Sequence, residues 1–66
     1  MKLYNYKNYA IFYESNIKMF VCYKNNGVHK LLPYKKHIEN NYQLQDDARD
    51  WFEQWIKPKF ETSLIN

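Results

Sequence analysis

The chain has little of what staples or punctuates a small protein: one Cys, one Gly, two Pro and one Arg in 66 residues. A single Cys excludes an intramolecular disulfide and points to a reducing environment. A single Gly leaves no glycine-rich turn to cradle a phosphate or to supply oxyanion donors. No apolar run of about 18 residues is present, and the opening MKLYNYKNY lacks the apolar core of a signal peptide, so a cytoplasmic protein without membrane contact is expected. Acids are nearly missing from residues 1–38, where seven Lys face only Glu14; residues 39–66 reverse this, with six acids against Arg49, Lys57 and Lys59. That layout suits a basic binding face backed by an acidic helix. Eight Asn and nine Lys against one Arg are also what an AT-rich genome encodes.

Aromatics are what the chain has in surplus: seven Tyr, four Phe and two Trp. A domain of this size buries only about 60% of its unfolded surface, so large rings must carry much of its core. The stretch Leu44 to Lys57, LQDDARDWFEQWIK, sets the pattern. At 100° per residue, Leu44, Ala48, Trp51, Phe52, Trp55 and Ile56 fall in one uncharged arc, with Asp46, Asp47, Arg49, Asp50, Glu53 and Lys57 opposite. The spacing predicts a helix over 44–57, capped by Asn40 or Asn41 and ended by Pro58. Asp46 and Asp47 then lie in the first turn, favoured by the helix dipole, and Arg49–Glu53 and Glu53–Lys57 are spaced to pair. Truncating Trp51 or Trp55 is expected to cost about 3 to 5 kcal/mol each.

Ahead of the helix, Met1 to Asn8 has no firm period and reads as a leading extended segment. Tyr9 to Tyr13, Ile17 to Lys24 and Val28 to Tyr34 read as strands, with turns at Glu14-Ser15-Asn16 and Asn25-Asn26-Gly27. Pro33 lacks an amide, so the third of these is an edge strand or stops at Leu32. The fold class is α+β: one domain over 1–66, a three-stranded antiparallel sheet (about 9–13, 17–24 and 28–34) and one amphipathic C-terminal helix packed on one face. The tail 58–66 has too little pattern to assign, although Phe60 and Leu64 could dock.

Pairing the first two strands puts Ala10, Phe12, Met19 and Val21 on one face, and Tyr9, Ile11, Tyr13, Lys18, Phe20, Cys22 and Lys24 on the other. One helix covers one face. The first set, joined by Leu31 or Leu32, is taken as the bed for Leu44, Trp51 and Trp55, leaving an outer surface that is aromatic and basic. Tyr9, Ile11, Tyr13, Lys18, Phe20 and Lys24, with Lys35 and Lys36, are therefore the expected partner-binding residues. Serine at Tyr13 and Phe20 is expected to abolish binding and spare the fold; unfolding would mean the faces are reversed.

No catalytic, metal or cofactor site is expected. Cys22 and His29 flank a hairpin without a third orienting group, and Cys22, His29 and His37 lack zinc spacing. Tyr, Phe and Lys interleaved on a sheet can stack bases and neutralise phosphates, though Arg49, the sole Arg, lies on the acidic helix, away from guanine-reading geometry. With no Arg on the sheet, nucleic-acid binding there is expected to have little sequence preference. The order strand, strand, strand, helix, with DDARDWF opening the helix, is similar to the AP2-type and integrase arm-type DNA-binding folds, an architectural likeness that implies a sheet-borne DNA site. In size and character the chain also resembles the small inhibitors of phages and mobile elements, anti-CRISPR and related anti-defence proteins among them. That likeness implies a non-enzymatic inhibitor or adaptor acting on a host protein in the host cytoplasm. A protein partner is the first expectation, with nucleic acid and a homodimer as the alternatives.

Overall fold

The computed structural model describes residues 1–58. The architecture is α+β, with an antiparallel sheet and one C-terminal helix, but the sheet has four strands rather than three. They are β1 (Lys2–Tyr6), β2 (Tyr9–Glu14), β3 (Met19–Lys24) and β4 (Gly27–Pro33), hydrogen-bonded in sequence order. The helix α1 (Asn41–Trp51) runs into a π-helical turn, Phe52–Ile56. The expected tail, with Phe60 and Leu64, lies outside the described residues.

The added strand is β1. Its period is hidden because the register with β2 shifts between Lys2 and Tyr4, so Leu3 sits in a bulge and alternation fails there. The turns use positive φ at non-glycine residues: Lys7 after β1, Lys18 before β3, and Asn25 with Asn26 between β3 and β4. Both asparagines of Asn25-Asn26 take the left-handed region, as a tight hairpin turn demands, and Gly27 is free to open β4 with negative φ. Pro33 ends β4 on the edge of the sheet, where a missing amide interrupts no ladder.

The strand pairing follows the alternation. Ala10 faces Tyr23, Phe12 faces Val21, Ile11 faces Cys22 and Tyr13 faces Phe20. The two sets of residues therefore share faces as expected, but the helix covers the opposite face from the one assigned to it. Leu3, Tyr9, Ile11, Phe20, Cys22 and Tyr34 form one core with Leu44, Ala48, Trp51, Phe52 and Ile56. The physical reason is the larger apolar payload on that side, which β1 increases by adding Leu3, Tyr4 and Tyr6. Phe52 is fully buried and its ring meets Tyr4 at 5.4 Å and Tyr6 and Tyr9 at 5.3 Å. Lysine on this face is no obstacle, because its ammonium reaches out at a strand end: Lys24 Nζ lies 5.4 Å from the Tyr9 ring centre. Cys22 is fully buried beneath the helix, and burial pushes its thiol pKa up.

The helix starts three residues earlier than its apolar stripe. Asn40 is the cap: its side chain accepts from the Gln43 amide at 2.9 Å, while Gln43 Oε1 accepts from the Glu39 amide at 2.9 Å. This start removes Asp46 and Asp47 from the first turn, which holds no acid. Their partners are side chains instead. Asp46 pairs with Arg49 at 3.3 Å, so the expected Arg49–Glu53 pair is replaced, whereas Lys57 meets Glu53 at 3.6 Å as expected.

Asp47 accepts a hydrogen bond from the Tyr34 hydroxyl, and Lys36 Nζ lies 3.7 Å from the same carboxylate. Gln43 Nε2 donates to the Tyr34 oxygen at 2.9 Å and to the His37 carbonyl at 2.8 Å. With its ring stacked on Phe20 at 4.4 Å, Tyr34 ties the end of β4 to the start of α1. Burial, and then the hydrogen bond to Asp47, raises the Tyr34 pKa above the ordinary 10.0. The folded state therefore prefers the neutral phenol, and this contribution is intact below about pH 10 and lost as pH climbs through the raised value. Tyr34→Phe should lower stability by about 1 to 3 kcal/mol at neutral pH and flatten the alkaline loss. Urea midpoints from pH 7 to 11 check both; an unchanged alkaline limb would remove Tyr34 as its source.

Candidate functional site

The reversal of faces redistributes the expected binding residues. Tyr9, Ile11 and Phe20 are buried under the helix, with Ile11 and Phe20 wholly inaccessible. Tyr13 is half-buried on the same side, its ring 5.9 Å from Phe20 and 6.1 Å from Tyr34. These four are core residues and no partner can reach Ile11 or Phe20 in the folded protein. Lys18, Lys24, Lys35 and Lys36 are exposed, but they lie in turns and at strand ends on the helix side and around its loop. The aromatic and basic surface expected on one outer face therefore does not assemble.

The face left open holds Ala10 and Phe12 from β2, Met19, Val21 and Tyr23 from β3, and Val28 and Leu31 from β4. Sequence pairing grouped the first four of these correctly and assigned them to the helix. Phe12 and Tyr23 pack edge to face at 5.5 Å. Val21, itself buried by its neighbours on this face, opposes Leu31, and Tyr23 opposes Val28, across the β3–β4 ladder. Val28 and Leu31 are 62% and 53% exposed, so the surface runs on to the edge of the sheet. Among the described strand residues the charges on this face are Lys2, opposite Phe12, and Glu14, opposite Met19. It is an apolar, nearly neutral layer that no described element covers.

A second concavity lies on the helix side, between β4 and the helix. It has a volume of about 660 Å³, with Leu32, Trp51 and Trp55 on its walls and Lys30, Lys35 and Asp50 at its rim. Trp55 was expected in the core beside Trp51, but it is 73% exposed. The cause is the π-helical turn: the Lys57 amide reaches back five residues to the Phe52 carbonyl at 2.8 Å, and the wider winding carries Trp55 out of the buried arc. The expected stripe stays buried at Leu44, Ala48, Trp51, Phe52 and Ile56.

Among the described residues, no group of three or more His, Cys, Asp or Glu is placed to hold a metal ion. No helix among them is long and apolar enough to cross a membrane. His29 meets the Tyr9 ring edge to face at 5.8 Å, and Cys22 Sγ approaches the Tyr23 carbonyl at 3.8 Å. Each of these side chains thus has a packing contact in the fold. What the surfaces offer chemically is contact area: rings, branched aliphatics and a free strand edge. Comparison with family models, with curated proteins and with solved structures finds no match to this chain.

Proposed function

We propose that the chain is a small, non-enzymatic protein-binding module that works by occupying a partner's surface with the outer face of its sheet. The observation that carries this reading is the uncovered apolar layer of Phe12, Met19, Tyr23 and Leu31, set around the buried Val21. A contiguous apolar face rimmed by polar residues is the usual mark of a protein interface, and aromatic side chains supply contact area there at low entropic cost. A module of this size acts as an inhibitor or adaptor, the manner of small proteins that phages and mobile elements direct at host machinery. The charge layout supports a protein over a nucleic acid. The register places Phe12 and Tyr23 on a face whose described strands carry only Lys2 as a cation, so stacking rings and phosphate-neutralising lysines are on different surfaces.

The test is affinity capture from the source cell with the intact chain and with a Phe12→Ser, Leu31→Ser double variant. Both positions are partly exposed, so each change should cost no more than about 1 kcal/mol of stability. The expected result is a folded variant that loses a protein captured by the parent, with capture insensitive to added salt. Retention by the variant, or capture of nucleic acid with a steep salt dependence, would overturn the reading.

A further inference from the structure

The two edges of the sheet are not equivalent. Strand β1 is a short, bulged edge with Lys2 and Lys7 at its ends, and α1 packs against it. Bulges, charges and a covering helix are the devices by which proteins block unwanted strand addition. Strand β4 is seven residues long, and all of them except Leu32 are exposed. The Tyr34 amide donates to the Lys18 carbonyl at 2.9 Å on the β3 side. Because ladder bonds to one neighbour come from alternate residues, Leu32 bonds β3 as well, and Leu31 turns its N–H and C=O away from the sheet. Beside this free edge lies the groove walled by Leu32, Trp51 and Trp55, and two of the six large hydrophobics that stand exposed among the described residues, Leu31 and Trp55, line it.

We propose that the β4 edge takes an extended, acidic segment of a protein partner as a fifth strand, with apolar side chains of that segment entering the groove. Charge selects the occupant. Lys30 points to the groove from the strand itself, and Lys35 and Lys36 follow at its end. Of the facing carboxylates, Asp47 is already held by Tyr34 and Lys36, which leaves Asp50 against Lys30 and Lys35 and a net positive rim. A second copy of this chain is a poor match, because both edge strands are basic: β1 carries Lys2 and β4 carries Lys30, and the acid in the described strands, Glu14, belongs to interior β2. A strand with carboxylates opposite Lys30 gains cross-strand pairs that the chain's own edges cannot give.

This edge adjoins the outer face at Leu31, so the two readings are told apart by Phe12, which belongs to the face alone, and Lys30, which belongs to the edge alone. The probe is a short end-blocked peptide of Glu-Thr-Val-Thr repeats, which puts glutamate and valine together on one face of the added strand, titrated into isotope-labelled protein at low salt, beside a counterpart with lysine in place of glutamate. The Leu31 amide should shift and its hydrogen exchange slow, with the acidic peptide bound about tenfold more tightly than the basic one. Lys30→Glu should reverse that order. Leu31→Pro, which removes an outward N–H and no bond within the sheet, should keep the circular dichroism spectrum and lose the response. The proposal is overturned if Leu31 is silent, if the two peptides bind alike, or if Leu31 is protected in the free protein in proportion to its concentration, which would put a second copy on the edge. A partner lost with Phe12→Ser but indifferent to Lys30→Glu would overturn this edge and leave the outer face standing.

Discussion

Phe52→Ala is expected to leave little folded protein at room temperature. Its side chain has no exposure, and three tyrosine rings from β1 and β2 close around it within 5.4 Å. Truncating a buried Phe costs about 3 to 5 kcal/mol through lost transfer energy and the cavity left behind. A 66-residue domain has roughly 3 to 10 kcal/mol in all, at about 0.05 to 0.15 kcal/mol per residue. Relaxation into the hole is limited, because Tyr4 is anchored by its hydroxyl to Glu53 Oε2 at 3.2 Å and Tyr9 is held between Phe52 and His29. Urea denaturation followed by circular dichroism measures the loss, and a change below about 1 kcal/mol would show that the ring is not the keystone between helix and sheet.

The two tryptophans should behave oppositely despite sharing a helical spacing. Trp51 is 9% exposed and stacks toward Phe20 at 6.1 Å, whereas Trp55 is 73% exposed. Trp51→Ala should cost about 3 to 5 kcal/mol, while Trp55→Ala should stay below about 1 kcal/mol. Fluorescence of the single-tryptophan variants gives a second measure: Trp55 emission should be red-shifted and strongly quenched by acrylamide, and Trp51 emission should resist quenching. Equal stability losses would mean that the winding stays α-helical through Ile56 and that both rings are in the core.

That contrast marks how far local pattern carries. The period of two in YAIFYE and MFVCYK was enough to sort Phe12 with Val21 and Ile11 with Cys22 onto shared faces, but not to fix the register: a turn at Ser15-Asn16 would oppose Phe12 to Met19, whereas the turn over 15–18 opposes it to Val21, a slip of two that keeps each set on its own face. Pattern did not say which set the helix would cover. That choice depends on summed area, and the deciding contributions of Leu3, Tyr4 and Tyr6 sit in a strand whose bulge erases its alternation. Lysines at 18 and 24 argued for solvent, yet at strand ends they extend past the core edge. The Asn40 cap was legible from residue type, while Gln43 three positions on was a signal left unread. The candidate surface changed with the face: the apolar residues now open to partners were read as core, and the β4 edge was foreshadowed only by Pro33. Trp55 lay beyond any wheel drawn at 100°, since the turn that expels it has a different period.

The buried thiol makes the protein its own stopwatch. Cys22 has no exposure, and burial holds its pKa above the ordinary 9.0, so a thiol reagent meets neither an open path nor an appreciable thiolate while the sheet and helix are joined. Labelling must wait for an opening that lifts the helix from β3, and its rate, compared with that of the unfolded chain, reports the free energy of that opening without any added probe. Each variant above can be ranked by one modification time course, in native buffer and at concentrations too low for spectroscopy.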